Sequence, residues 1–308
     1  MSGSSGDLGF LSLALLGGAL KASTPFLLVG LGECLTEKSG RVNIGLEGTL
    51  LLGAVASYGT CYTTGYPWLG VLAAGTVGLA LGLLHSVLCS LKKVSHVAIG
   101  IALMIFGTGL AFLFGKPLIE PLAPRLQAVE LGFWSSDNMV RSSLAVDPLF
   151  IVGLALAVSM SAFLNRTHLG LLVRAAGDNA KAVEAQGYSV SLIRLWATTG
   201  GGFIAGLAGA SLSLYYPSGW SEALARGQGL MAIALVIFAR WNPIGCIWAA
   251  LIFGASGALG PALQAIGYSQ GVQLLNAAPY MLTLAILIAR SSANRSFSGS
   301  PLELAVLK

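Results

Sequence analysis

PWLGVLAAGTVGLALGLLHSVLCSL, residues 67–91, runs without a single Asp, Glu, Lys or Arg. About twenty residues of α-helix cross the roughly 30 Å hydrocarbon core of a bilayer, so this stretch reads as a membrane span. Similar apolar segments lie at 8–36, 43–63, 95–115, 148–164, 195–216, 228–239, 244–266 and 272–289. The first is long and contains Lys21 and Pro25, which predicts either one kinked span or two short ones. The 228–239 stretch is short, begins in a glycine-rich turn, and is expected to be half-inserted. Eight to ten spans follow. The runs are continuous rather than alternating, which argues against a membrane β-barrel. The expected fold is all-α: a polytopic transmembrane helical bundle forming one domain over residues 1–308.

Composition agrees over all 308 residues. Hydrophobic residues make up 55% and charged residues 9%, against about 25% charged in a soluble domain. The mean hydropathy is +0.80. A soluble enzyme, a disordered chain and a nucleic-acid binder are all disfavoured, although the pI is near 9.1. Forty-one glycines fit close helix packing in a membrane. Cys34, Cys61, Cys89 and Cys246 are scattered through apolar runs and read as small buried side chains, with no metal-site spacing among them. The first residues lack a basic region and an A-x-A site, so no cleavable signal peptide is expected.

The bases set the sidedness. Lys38, Arg41, Lys92, Lys93, Arg166, Arg174, Lys181, Arg194, Arg240, Arg290, Arg295 and Lys308 fall on one side; Lys116, Arg125, Arg141 and Arg226 fall on the other. The first side is therefore predicted to be cytoplasmic, with the C-terminus and the 165–194 segment on it and the 116–147 loop outside. The N-terminus is outside if 8–36 is one span and inside if it is two.

Small residues recur four apart at Gly78/Gly82, Gly202/Gly206 and Ala205/Gly209, predicting close backbone approach. Two segments read as interruptions, SGRVNIGLEG at 39–48 and TGGGFIAGLAG at 199–209, and transporters often pair such breaks in two repeat halves. Glu33 and Glu47 lie in or beside apolar segments, where a carboxylate is costly and marks a candidate function. Asn43 and Glu47 are four apart and share a face if that stretch is helical. Asn43, Glu47 and Glu33 are thus candidates for the translocation path, or for hydrogen bonds that hold a broken helix. His85, His96 and His168 form no catalytic spacing. Tyr58, Tyr62, Tyr66, Trp68, Tyr215, Tyr216, Trp220, Trp241 and Tyr268 read as interfacial anchors, Trp241 also as a partner contact.

NRTHLGLLVRAAGDNAKAVEAQGYSVSLIR, 165–194, is long for a connection within a bundle. Asn179 can cap a short helix over 180–185 and Gly187 can end it. An exposed helix between two spans is what a membrane subunit needs to fit a groove on a soluble partner; a solvated connection is the plainer alternative. No GxxxxGK[ST] occurs, so if ATP drives the protein another chain binds it.

Four stretches resemble one family. GECLTEKSGRVNIGLEG (32–48), LGLLVRAAGDNAKAVEAQGYSV (169–190), GGGFIAGLAGASLSL (200–214), and GLMAIALVIFARWNPIG (229–245) with APYMLTLAIL (278–287) are similar, in order, to the nucleoside and simple-sugar branch of ABC importer permeases, which are related to branched-chain amino acid permeases. The resemblance implies a non-enzymatic transport subunit of a bacterial-type plasma membrane. It implies pairing with a second permease chain, docking of an ATP-binding subunit that holds ATP and Mg, and docking of an extracytoplasmic substrate-binding protein. It implies no cofactor in this chain. Gly177, Asp178, Asn179, Ala182, Ala185 and Gly187 would sit in the coupling contact. Glu33, Glu37, Ser39, Gly40, Asn43, Gly45, Glu47 and Gly48 match the first motif. Arg41, Gln228 and Ala239 depart from residues common in the family, aliphatic, Arg and Gly respectively. A nucleoside is the expected solute. A simple sugar, a riboflavin-like solute, and a stand-alone channel or secondary transporter are the alternatives. An intramembrane enzyme would need a convergent nucleophile and base, and the sequence offers none.

Overall fold

The structure, a computed structural model, describes residues 3–91, 94–265, 267, 272–291 and 301–302. Lys92, Lys93, Tyr268, Arg295 and Lys308 lie outside the described residues. The helices in chain order are α1 (Gly3–Lys38), α2 (Leu46–Thr64), α3 (Pro67–Cys89), α4 (His96–Gly115), α5 (Asn138–Ser143), α6 (Pro148–Arg166), α7 (His168–Asp178), α8 (Ala180–Ala185), α9 (Val190–Leu214), α10 (Gln228–Phe238), α11 (Pro243–Ala265), α12 (Val272–Asn276) and α13 (Ala278–Ser291). Two short strands, β1 (Val129–Glu130) and β2 (Ala145–Val146), pair antiparallel in the 116–147 loop.

Among the described residues six helices are long and apolar enough to cross a membrane: α1, α3, α4, α6, α9 and α11. α2 has 19 residues but a Ser-, Tyr- and Thr-rich second half. α10 and α13 are shorter apolar helices. The 8–36 segment is one helix, with Pro25 inside it. It is the axis of the bundle, since residues 23–34 are all buried. Residues 26–31 are apolar on every face, as a helix enclosed in a core requires.

α1, a break at 39–45, α2 and α3 follow one another in the same order as α9, a break at 215–227, α10 and α11. α1 packs along α11, and α9 packs along α3. α1 and α9 run antiparallel, because Arg194 at the start of α9 donates to Ser39 just past the end of α1. The second break is not where the glycines predicted it. The 199–209 stretch lies inside the uninterrupted α9. Its glycines serve contact rather than bending: a Cβ on Gly202 would lie 2.4 Å from the Gly78 carbonyl oxygen, and one on Gly206 2.2 Å from that of Ala74. The predicted small-residue faces thus meet within this chain.

The 116–147 loop is pinned to the helix ends. Tyr58 donates to the Pro121 carbonyl (2.8 Å) and accepts from the Ala123 amide (3.2 Å), and the Leu126 amide donates to Leu214 (3.0 Å). Tyr58 and Trp220 are buried, which corrects their reading as interfacial anchors; Tyr62, Tyr66 and Trp68 are exposed. Asp147 caps α6, accepting from the Leu149 amide (2.8 Å) and the Ser211 hydroxyl. Burial pushes its carboxyl up to about 6 from an ordinary 3.8, against the opposing pull of those two hydrogen bonds. The folded state therefore holds the proton more tightly than the unfolded one. Its contribution is full below the ordinary value and is lost as pH rises through about 6. Asp147→Asn keeps a capping oxygen and removes the titration. It is expected to raise the unfolding temperature at neutral pH and flatten its pH dependence between about pH 4 and pH 7; an unchanged slope would refute this role for Asp147.

Candidate functional site

Three structural features of the two breaks and their surroundings bear on function. The first is the 165–194 segment. Thr167 caps α7 through the Gly170 amide (3.0 Å), and Asn179 caps α8 through the Ala182 amide (3.1 Å). Gly187 takes a left-handed φ of +85°, as the end of a short helix requires. Val183 anchors α8 against Ala176 and Val190. Asp178, Asn179, Ala182, Ala185 and Gly187 are exposed, whereas Gly177 is buried. A Cβ on Gly177 would meet the Lys38 carbonyl at 2.4 Å. Five of the six predicted coupling residues thus form an accessible surface, and the sixth seats it on the end of α1. Arg194 ties the seat, donating to Ser39 (3.0 Å) and Ala176 (2.8 Å).

The second feature is the polar junction between the two breaks. After Gly40 (φ +89°) the chain turns back toward the bundle. The Asn43 amide donates to Glu33 Oε1 (2.8 Å), and Asn43 Oδ1 accepts from the Gly45 amide (3.0 Å). Asn43 precedes α2 and Glu47 lies in its first turn, so the expected shared helical face does not form. Glu47 instead accepts from the Gly227 amide through Oε1 and the Gly229 amide through Oε2, both at 2.8 Å. It therefore caps the N-terminus of α10, where unpaired N–H groups and the helix dipole favour a carboxylate. Glu37 accepts from the indole of Trp241, just past the other end of α10. Trp241 is buried, so it is neither an interfacial anchor nor an exposed partner contact. Arg41 is buried against Ser86 and Ser90, donating to the Ser86 carbonyl (2.9 Å) and to the Ser90 hydroxyl (2.9 Å). The three candidate path residues are thus brought to the two breaks, where Glu33 and Glu47 hold backbone amides.

The third feature is a cavity of about 540 Å³ between α1, the 215–227 break, α10, α11, α12 and α13. Pro25, Phe26, Met231, Pro261 and Pro279 make its apolar wall; Tyr216, Arg226, Gln228, Asn276 and Tyr280 supply polar groups. Tyr280 donates to the Arg226 carbonyl at 2.5 Å. The Gln228 amide oxygen is buried and has no hydrogen-bond partner among the described residues. Helix capping foretells none of this, because the lining residues are spread over the chain. The one sequence signal was Gln228 as a departure from the family pattern.

A family model described as "Branched-chain amino acid transport system / permease component" matches residues 15–290. The chain is 31% identical over 300 residues to the "Putative glucose ABC transporter permease protein TsgC13" of Haloferax volcanii, covering 89% of this chain and 90% of that one. It is 28% identical over 284 residues to the "Nucleoside ABC transporter permease protein NupC" of Lactococcus lactis subsp. cremoris, covering 86% and 88%. It is 27% identical over 293 residues to the "Guanosine ABC transporter permease protein NupQ" of Bacillus subtilis, covering 89% and 92%. A match over most of the chain, joined to the all-α membrane bundle, places the protein among the permease components of ABC transporters.

Proposed function

We propose that this permease subunit serves an ATP-driven importer that carries nucleosides across the plasma membrane. The observation that carries the transport role is the exposed α7–α8 surface seated by Gly177 and Arg194 on the first break. That geometry suits a lever: a soluble ATP-binding subunit, holding ATP and Mg, docks on the exposed residues and moves the end of α1. A second permease chain and an extracytoplasmic binding protein complete the assembly. The charge asymmetry supports placing 165–194 and the C-terminus in the cytoplasm and 116–147 outside. The single α1 then supports an N-terminus outside. Nucleosides are favoured by the two relatives whose names specify a nucleoside and guanosine. A simple sugar is the second reading, favoured by the 31% identity to the glucose-named relative.

The test is reconstitution with the ATP-binding subunit and the binding protein. ATP-dependent uptake of labelled uridine is expected. Uptake that needs no ATP would sink the coupling role, and uptake of glucose alone would sink the nucleoside assignment. Two substitutions probe the coupling surface. Asp178→Lys reverses an exposed charge, and Gly187→Trp adds bulk where a Cβ meets nothing within 4 Å. Both are expected to abolish uptake at near wild-type membrane level; the unfolding temperature stays close to wild type for Asp178→Lys and falls somewhat for Gly187→Trp, whose left-handed backbone (φ +85°) strains any side chain. Normal uptake in both would exclude this surface as the coupling contact.

A further inference from the structure

We infer that the cavity between α1, α10, α11, α12 and α13 is a solute site of the permease itself, and that it takes an uncharged nucleoside whose polar edge is read by the carboxamides of Gln228 and Asn276. The inference rests on the nucleoside transport proposed above. Its volume of about 540 Å³ falls in the range of about 300–1,000 Å³ typical of small-molecule sites. The bare Gln228 oxygen is an acceptor held out of water, and an unpaired buried acceptor costs about 1–3 kcal/mol until a donor arrives. Each carboxamide offers both a donor and an acceptor, which is the pattern along the edge of a nucleobase. The Asn276 oxygen is set against α11, where a Cβ on Gly260 would lie 2.3 Å from it.

The wall selects the rest of the ligand. Phe26, Tyr216 and Tyr280 with Pro25, Pro217 and Pro261 give a mostly apolar lining suited to the face of a planar ring. A hexose brings hydroxyls around its whole rim, each needing a partner once out of water. The polar groups here are few, and the Tyr280 hydroxyl is already engaged with Arg226. Among the described residues no carboxylate lines the cavity and Arg226 does, so its charge disfavours an organic cation.

Thiol protection tests this in the assembled transporter in whole cells. The four native cysteines are all buried, which keeps background labelling low. Gln228→Cys and Asn276→Cys are each treated with a membrane-impermeant methanethiosulfonate. Both are expected to react. Uridine at ten times its half-protecting concentration is expected to slow labelling about tenfold, by mass action. Glucose is expected to change nothing, and exposed Ser221→Cys is expected to label at one rate throughout. Intact uridine uptake with no protection at either cysteine overturns the cavity site and leaves nucleoside transport standing. Protection by glucose but not uridine, in cells that import glucose alone, overturns the nucleoside assignment in both proposals. No labelling at either position also overturns the inference.

Discussion

Gly202→Leu is expected to abolish accumulation of folded protein, while Gly200→Ala, two residues away on the same helix, is tolerated. A Cβ on Gly202 would stand 2.4 Å from the Gly78 carbonyl oxygen and 2.8 Å from the Gly82 Cα. Both obstacles are backbone, so neither can rotate aside. A Cβ on Gly200 meets only Leu35, at 3.7 Å, which is ordinary contact. Overpacking a core ordinarily costs about 1–3 kcal/mol; prying α9 from α3 lies at or beyond the upper end. Gly200→Ala gains helix propensity, by up to about 1 kcal/mol on soluble scales. Thermal unfolding of the detergent-solubilised transporter separates the two. Equal unfolding temperatures for Gly202→Ala and wild type would show that the α3–α9 contact is looser than described.

Glu47→Leu is the second large effect. It removes both acceptors from the Gly227 and Gly229 amides, which then face a membrane-embedded interior with no replacement. Hydrogen bonds to a charged group contribute about 1.5–3 kcal/mol each, so losing the pair costs on the order of 3 kcal/mol or more. Uptake is expected to fall about a hundredfold or to vanish, since about 1.4 kcal/mol corresponds to a factor of ten. Glu47→Gln retains an acceptor oxygen and is expected to fall between. Wild-type uptake and unfolding temperature in Glu47→Leu would show that α10 does not depend on this cap.

What the sequence made legible was local. Hydropathy set out the apolar helices, although among the described residues six rather than eight to ten are long and apolar enough to cross, and Asn179 and Gly187 bracket α8 because a cap and a left-handed residue act within one helical turn. The break at 39–45 was visible because Ser39, Gly40 and Gly45 cluster beside an apolar run. The second break was misplaced because clustered glycines signal both a bend and a close contact. What decides between them is the backbone lying opposite, and the sequence of α9 does not carry that. Trp241 beside Arg240 had the composition of an interfacial anchor, yet its partner Glu37 lies 204 residues away. The cavity was illegible for the same reason. Gln228, Asn276 and Tyr280 converge only once α10, α12 and α13 are packed.

The brevity of α10 sets a stroke length. Its 11 residues, rising about 1.5 Å each, reach roughly 16 Å, about half the hydrocarbon thickness. On the import route proposed above, a solute resting above its N-terminus would have about half the crossing still to make. Withdrawing one helical turn, about 5.4 Å, would shorten that stretch by a third.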